Sequence, residues 1–263
     1  SNVACVTPAV STLKTDTCEP LRKLGFVEAK FENNQCTFES TKFVELGAST
    51  ECNTESNKMD MVILLDASGS VYYEPFQLAK KFIKTLIDGF TIGKDATRIS
   101  IVPYASTTYG KIQLNDCSDK DCLKQKTDGI TYNGGGTCTS KAFKEAMEML
   151  ENGENEYASG TKRAKLIITI TDGIDLCSGI ADHSTTARYQ GIELFMVGVG
   201  DGAKATSDIP HLTGNDESHY FDVEGYSSLD TLFAKQIGQA ICTTVMTGSN
   251  EFRTLHWNES WDE

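Results

Sequence analysis

Short uninterrupted runs of apolar residues recur along the chain and alternate with stretches in which apolar residues return every three or four positions. The runs are typical of strands buried on both faces, and the second pattern is typical of helices that cover a sheet. The predicted buried strands are Met61–Leu65, Arg98–Ala105, Lys165–Thr171 and Glu193–Val199, followed by a short last strand, His219–Val223. Strands that alternate with helices indicate βαβ units and a mostly parallel sheet with helices on both faces.

Helical spacing of apolar residues predicts a core-facing helix between Phe76 and Phe90 and a closing helix over Ser228–Ile241. Shorter helices are expected at Asp119–Thr127 and Asp182–Gln190. The segment Tyr109–Leu114 alternates apolar and polar residues and follows a buried strand after only a short turn. We therefore expect it to be an edge strand that runs antiparallel to its neighbour.

Length and composition set the scale of the protein. A chain of 263 residues, of which 39% are hydrophobic, can bury the core of one large α/β domain plus a smaller piece. The net charge of −13 argues against binding to nucleic acid or to an anionic membrane surface, because both are themselves negatively charged. No stretch is apolar enough to span a bilayer, so we expect no direct membrane insertion.

Three regions are expected along the chain. Residues 1–57 have little core of their own and predict a small disulfide-stapled N-terminal arm or module, with the pairing of its first three cysteines left open. Its cysteines are Cys5, Cys18, Cys36 and Cys52. Residues 58–245 contain the strands and helices of the α/β domain, and residues 246–263 form a polar C-terminal tail.

Nine cysteines lack the paired spacing and the histidines of a zinc site, so we expect disulfides formed in an oxidising, extracellular space. The odd count leaves one cysteine without a partner within the chain. Since the ends of such a sheet domain often lie close together, we predict a bond between Cys52 and Cys242. The other candidate pairs are Cys117 with Cys122, and Cys138 with Cys177, the latter weighed evenly against buried free thiols. Asn258 begins an N-glycosylation acceptor pattern.

The first buried strand runs into the sequence Asp66-Ala67-Ser68-Gly69-Ser70, in which an acid and two hydroxyls alternate. Ligands of open α/β sheets bind beyond the carboxyl ends of parallel strands, and three alternating oxygen side chains there are typical of a hard-cation site. The pentapeptide alone is equally typical of a Ser/Gly turn whose serines cap the next helix.

Two further loops bear on this choice. The glycine-rich segment from Asn133 to Thr139 precedes a predicted helix, and its glycines allow a close backbone approach to a ligand. A phosphate-binding loop is one interpretation, but the Lys-Ser/Thr ending of such loops is absent. The strand Lys165–Thr171 runs directly into Asp172-Gly173. All three loops are therefore expected side by side at the top of the sheet.

The three patterns occur in the order and context of the von Willebrand factor type A domain, a family that includes integrin I domains. They are Asp66-x-Ser68-x-Ser70, Gly135-Gly136-Thr137-x-Thr139 and Ile170-Thr171-Asp172-Gly173. The resemblance covers Lys58 to Val245 and implies a doubly wound sheet with one antiparallel edge strand. It also implies a metal-ion-dependent adhesion site with a complete five-residue pattern. Its ligands would be Asp66, Ser68, Ser70, Thr137 and Asp172.

Such a ligand set suits Mg²⁺, with Mn²⁺ as a possible substitute, because Mg²⁺ prefers a small octahedral shell of oxygens. Few direct charges leave the ion electrophilic, so that an incoming carboxylate completes the shell. This is a binding mechanism and not a reaction, and we expect no enzyme activity. Ser68 lies outside a G-x-S-x-G pattern, and no histidine is placed as its base. The four histidines are expected at the surface or at helix ends: His183, His211, His219 and His256.

The sequence therefore predicts a secreted or cell-surface module that captures an Asp or Glu of an extracellular protein partner through bound Mg²⁺. The alternative is a structural subunit of a matrix or filament. In that case the A-type domain, the N-terminal arm and the tail would make the contacts between copies. Chelator-sensitive binding of a different protein favours the first function, and chelator-resistant self-assembly favours the second.

Overall fold

The computed structural model describes residues 58–155 and 163–247, together with the backbone of three short strands nearer the N-terminus. The chain divides into two compact units, residues 1–50 and 51–263. In the first unit, strands β1 (Val10–Leu13), β2 (Lys30–Glu32) and β3 (Gln35–Glu39) form an antiparallel sheet in the order β1-β3-β2. The predicted tail, with Asn258, lies outside the described residues apart from its first two positions.

The second unit contains a five-stranded parallel sheet in the order β5-β4-β6-β7-β8, which confirms the predicted α/β fold class. The strands are β4 (Met59–Asp66), β5 (Thr97–Tyr104), β6 (Ala164–Thr171), β7 (Ile192–Val199) and β8 (Tyr220–Val223). All eight residues of β4 and of β5 are buried, as the uninterrupted apolar runs predict.

Helices cover both faces of this sheet. They are α1 (Tyr73–Asp88), α2 (Lys120–Asp128), α3 (Thr139–Asn155), α4 (Ile180–Tyr189), α5 (Gly200–Lys204), α6 (Ile209–Leu212) and α7 (Thr231–Thr247). Alternate residues of β4 point to opposite faces, so Ile63 packs with α1 and α7 in one core while Leu64 packs with α3 and α4 in the other. Within the described residues, no helix is both long and apolar enough to cross a bilayer.

The predicted edge strand Tyr109–Leu114 is wrong in its extent. The backbone of Ile112 exchanges hydrogen bonds of 2.9 and 3.2 Å with Ile101 of β5, in the predicted antiparallel direction. Gly110 interrupts the extended conformation with a φ of 50°, and the carboxylate of Asp116 accepts a hydrogen bond from the backbone N–H of Gln113 at 3.1 Å. The segment therefore pairs with β5 at isolated positions instead of along a strand.

A buried ion network lies near the amino end of β4. The guanidinium groups of Arg98 and Arg163 both donate to the carboxylate of Asp60, with Nε–Oδ1 distances of 2.7 Å and 2.6 Å. The side chains of Arg98, Arg163 and Asp60 are 2%, 4% and 0% exposed. Other guanidinium protons are donated to the side-chain oxygen of Asn115, at 2.9 Å from Arg98, and to backbone carbonyls, including that of Ala96 at 2.7 Å from Arg163. One carboxylate therefore connects β4, β5 and the start of β6.

His219 is predicted at the surface or at a helix end, and it is buried at the end of a short 3₁₀ helix, so only the surface position is wrong. A short 3₁₀ turn, Glu217–His219, brings the ring against Phe195 of β7, with 4.0 Å between the ring centroids. Its Nδ1 lies 2.9 Å from the carbonyl oxygen of Leu194. A hydrogen bond to the backbone satisfies this ring nitrogen inside the core, which explains why a histidine is tolerated there.

Candidate metal centre

The parallel register brings the ends of β4 and β6 to one edge of the sheet. Leu65 pairs with Ile170, so Asp66 and Thr171 follow at the same level. The loop after β4 is then joined to the glycine-rich loop before α3 by two backbone hydrogen bonds. Gly69 donates to the carbonyl of Gly135 at 2.8 Å, and Gly134 donates to that of Ala67 at 2.9 Å.

Four of the five predicted ligands are connected through hydrogen bonds. Asp66 Oδ1 accepts from the backbone N–H of Ser68 at 2.8 Å, and the hydroxyls of Ser68 and Ser70 lie 3.1 Å apart. The hydroxyl of Ser70 donates to Asp172 Oδ1 at 2.8 Å. The serines do not cap the next helix, because α1 begins after Tyr72 without a side-chain cap. The Ser/Gly turn thus positions oxygens at the sheet edge.

Thr137 reaches this edge through its backbone. Its side chain is buried, and its carbonyl accepts a hydrogen bond of 2.7 Å from the N–H of Leu176 in the loop after β6. The next residue, Cys138, forms a disulfide with Cys177 of that same loop. The glycine-rich loop and the Asp172 loop are therefore joined both covalently and by the backbone.

The other candidate disulfides divide between described and undescribed residues. Cys117 and Cys122 are bonded across the start of α2, with 5.6 Å between their Cα atoms. Cys242 on α7 is disulfide-bonded as well. Its predicted partner, Cys52, lies outside the described residues, so the pairing of Cys52 with Cys242 stays a prediction.

Thr171 is a site residue that the sequence analysis did not identify. Its hydroxyl donates to Asp66 Oδ2 at 2.6 Å, and its side chain is fully buried. It thereby fixes the rotamer of Asp66, while the other carboxylate oxygen is held by the loop backbone. The equal lengths of the two neighbouring parallel strands indicate this contact, because such strands place their last residues side by side.

Gly202 is a second residue that the sequence analysis missed. A Cβ atom at this position of α5 would lie 2.5 Å from the carbonyl oxygen of Asp172, which is too close for any side chain. The absence of a side chain allows α5 to pack directly on the Asp172 loop. This close contact supports the backbone of Asp172 from the side of β7.

Burial determines the acidity of both carboxylates. Removal from water raises the pKa of Asp66 to about 6, although hydrogen bonds from Thr171 and Ser68 oppose the shift. Burial likewise raises the pKa of Asp172, against the hydrogen bond from Ser70. A bound cation would offset the cost of burying two negative charges, so the environment favours a cation between the loops.

The donor chemistry fits a hard divalent cation. Two carboxylates and the hydroxyls of two serines and a threonine offer only oxygen atoms. In the part of the chain that the structure describes, no group of three or more His, Cys, Asp or Glu side chains is placed to hold a metal ion, so the candidate set depends on two acids and on hydroxyl oxygens. The residues that would hold the ion are those of the three loops at the carboxyl edge.

Metal affinity should decrease as the pH falls through the pKa of Asp66. In the metal-free protein that pKa is raised to about 6, so a proton competes with the cation below this pH. We expect Mg²⁺ affinity to be about tenfold weaker at about pH 5 than at about pH 7.5. Calorimetric titrations of Mg²⁺ at both pH values measure this change in affinity, and equal affinities would contradict it.

The raised pKa of Asp66 in the folded state also affects the metal-free fold. Asp66 lowers the stability of that fold as pH rises from 3.8 to about 6.

Replacing Thr171 by valine should weaken metal binding without unfolding the sheet. Valine has nearly the same shape and suits a β-strand, but it leaves Asp66 Oδ2 without its buried donor. We expect a loss of about 10- to 100-fold in Mg²⁺ affinity, as for other residues that orient metal ligands. Thr169→Val is the matched control, because this buried hydroxyl of the same strand has no hydrogen-bond partner among the described residues. If both variants lost Mg²⁺ affinity to a similar extent, the loss would come from a change in β6 and not from the orientation of Asp66.

Comparison with known proteins agrees with this architecture. The family model of the von Willebrand factor type A domain matches residues 60–235. Matrilin-3 of Mus musculus is 35% identical over 184 residues, which cover 69% of this chain and 37% of that protein. Matrilin-1 of the same species is 34% identical over 185 residues, covering 70% and 36%. The chain thus spans little more than a third of the length of these curated relatives.

Solved structures show the same fold. Proximal thread matrix protein 1 from the mussel byssus superimposes with a TM-score of 0.60 at 23% identity, covering 73% of this chain and 47% of that chain. Another structure of the mussel protein, with a zinc-occupied MIDAS motif, gives a TM-score of 0.60 at 24% identity. At these identities the likeness concerns the fold alone.

Proposed function

Because the chain belongs to the von Willebrand factor type A family, we propose that it is an extracellular adhesion or ligand-binding module that captures an acidic side chain of a protein partner through bound Mg²⁺. The observation that carries the proposal is the hydrogen-bonded set of Asp66, Ser68, Ser70 and Asp172 at the carboxyl edge of the sheet. Matrilin relatives support the coarser statement, an adhesion or matrix role.

The protein's own residues would prepare the site for such a partner. Ser68, Ser70 and Thr137 would offer neutral hydroxyl oxygens, and Asp66 and Asp172 would supply the negative charge. A bound Mg²⁺ would contribute an electrophilic coordination position for a carboxylate. Thr171 would keep Asp66 oriented, and the disulfide between Cys138 and Cys177 would hold two of the loops together. Nothing in this set needs to transfer a proton, so the proposed role is binding and not catalysis.

An oxidising location is consistent with this proposal. Cys117, Cys122, Cys138 and Cys177 form two disulfides within the described domain. Such bonds persist outside the cytosol, where thiols are not kept reduced. The relationship to matrilins supports the same location, in the extracellular matrix or at the cell surface.

A structural role in a matrix is the second candidate. The matrilin relatives support a matrix role, and the chain has a second compact unit at residues 1–50. Under this alternative, copies of the chain would assemble through surfaces of the A-type domain, arm and tail. Sedimentation velocity in Mg²⁺ and in EDTA measures the oligomers that the chain forms with itself. Oligomers that persist in EDTA would favour the structural role, and a monomer under both conditions would favour adhesion to a different protein.

A random peptide library displayed on phage tests the adhesion function and does not require an identified partner. The library is selected on the immobilised protein in Mg²⁺, and bound phage are eluted with EDTA. We expect the eluted peptides to share an Asp or Glu. A parallel selection on the Asp172→Ala variant is the control and should yield no such enrichment. If EDTA elutes no acidic peptides from the wild-type protein, metal-dependent capture of a carboxylate is wrong.

A further inference from the structure

Large apolar side chains are exposed on two of the candidate metal loops. Tyr72 and Tyr73 follow Ser70 and are 70% and 57% exposed, and Ile174 and Leu176 follow Asp172 and are 49% and 73% exposed. We call these four residues the apolar rim. Elsewhere in the described domain, the large apolar side chains with comparable exposure are Leu78, Tyr189 and Leu232. Three of seven such side chains therefore lie on these two short loops, and a fourth, Tyr73, is the first residue of α1 directly after the first loop.

Contacts place the rim beside the candidate ligands. The ring of Tyr73 packs edge-on against Tyr132, with 6.3 Å between centroids, and the Tyr132 hydroxyl donates to the carbonyl of Ser68 at 3.1 Å. On the other side, the N–H of Leu176 donates to the carbonyl of Thr137 at 2.7 Å. A polar centre is thus bordered by aromatic side chains on one loop and by aliphatic side chains on another.

Tyr72 has an unfavourable backbone conformation. Its φ of 61° and ψ of 164° lie in a region that glycine adopts readily and that other residues avoid. Tyr72 also occupies the N-cap position of α1, yet its side chain makes no capping hydrogen bond. With most of the ring in solvent, burial does not compensate for the strain. A tyrosine at this position costs the fold stability, which indicates that the side chain acts on something outside the fold.

Leu176 is exposed but firmly held. Its backbone is hydrogen-bonded to Thr137, and the residue after it is bonded to Cys138. An apolar side chain on a fixed backbone loses little conformational entropy when a partner covers it. This arrangement is typical of a binding surface and gives the fold no packing advantage.

Resting on the proposed function, we propose that the apolar rim binds apolar side chains on both sides of the partner's acidic residue. The partner would present an Asp or Glu bordered by aromatic or large aliphatic residues in one exposed segment. Burial of the rim would add the hydrophobic contribution that a single metal–carboxylate contact lacks. The net charge of −13 disfavours an anionic membrane as the occupant of this surface.

The peptides eluted by EDTA from the phage selection provide the probe. We expect their acidic residue to have an aromatic or large aliphatic residue within about two positions on each side, as the rim lies on neighbouring loops. A synthetic peptide with the enriched sequence is then titrated into the rim variants in Mg²⁺. Tyr72→Gly and Leu176→Ser should each weaken peptide binding by about tenfold or more and leave Mg²⁺ affinity unchanged.

Two controls separate binding from folding. Tyr189→Ser removes a side chain that is 89% exposed on α4, away from the metal loops in sequence, and should bind the peptide as tightly as the wild type. Tyr72→Gly relieves the backbone strain, so its thermal midpoint should equal or exceed that of the wild type. A loss of peptide binding in a variant that is at least as stable assigns the tyrosine to the partner.

Each remaining outcome has a distinct meaning. Acidic peptides without apolar neighbours, or rim variants with wild-type peptide affinity, would overturn the role of the rim and leave the proposed function intact. A lack of acidic peptides would overturn the proposed function itself. A Mg²⁺-dependent dimer that disappears in Tyr72→Gly would assign the rim to a second copy of the chain and overturn the proposal of a separate partner.

Discussion

Replacement of Asp60 by asparagine is expected to lower the free energy of unfolding by about 3–5 kcal/mol. Asparagine has nearly the same volume, so no cavity forms, but it removes the negative charge of Asp60, which lies between two buried guanidinium groups. Arg98 and Arg163 would then lose the carboxylate that both guanidinium groups contact in the interior. Chemical denaturation under non-reducing conditions, followed by circular dichroism, measures the loss.

The pair of Lys58 and Asp95 provides a matched control for this variant. Its Nζ–Oδ1 distance is 2.7 Å, but the side chain of Asp95 is 79% exposed and water screens the charges. Asp95→Asn should therefore leave the denaturation midpoint almost unchanged. Asp60→Asn should also retain its Mg²⁺ affinity after folding, because Asp60 and Asp66 are six residue steps apart on an extended strand, or about 20 Å. An unchanged midpoint in Asp60→Asn would show that the network does not stabilise the fold.

Replacement of Asp172 by alanine is expected to reduce Mg²⁺ affinity by more than about 100-fold, since it removes a proposed ligand and not only an orienting group. The domain should remain folded, because β6 keeps its pairing and the repulsion between Asp172 and Asp66 is relieved. Binding of the selected acidic peptide should fall by a similar factor. Calorimetry with Mg²⁺ and with the peptide measures both losses, and circular dichroism verifies the fold.

Asp182→Ala is the control for the change in charge. This exposed acid lies in the first turn of α4, so its replacement removes the same negative charge without touching the three loops. Its Mg²⁺ affinity should match that of the wild type. Peptide binding that is equal with Mg²⁺, with EDTA and in Asp172→Ala would reject the adhesion mechanism and favour the structural alternative.

The sequence predicts the parts of the fold that depend on local pattern. Uninterrupted apolar runs identify the buried strands, and the three oxygen-bearing loops follow from residue types at strand ends and before a helix. The structure brings Asp66, Ser68, Ser70 and Asp172 into one hydrogen-bonded set. Their use as metal ligands stays a prediction, as does that of Thr137.

The residues that the sequence analysis missed are all defined by contacts between distant segments. Thr171 matters because β4 and β6 end in register, and Gly202 matters because α5 touches the Asp172 carbonyl. The partnership of Asp60 with Arg98 and Arg163 joins residues 38 and 103 positions apart. Periodicity cannot reveal such pairs, because it reports which face a residue occupies but not what lies opposite.

Under the proposed function, the disulfide between Cys138 and Cys177 would make formation of the candidate metal centre dependent on an oxidising environment. In a reducing cytosol, the parallel sheet could form from its apolar strands alone, while the glycine-rich loop and the Asp172 loop would lack their covalent connection. Metal-dependent binding of a partner would then reach full strength only after the thiols of Cys138 and Cys177 are oxidised to the disulfide. The protein would therefore not bind acidic proteins inside the cell before the disulfide forms. Recombinant protein for a binding assay should be produced in an oxidising host, in which the disulfide forms.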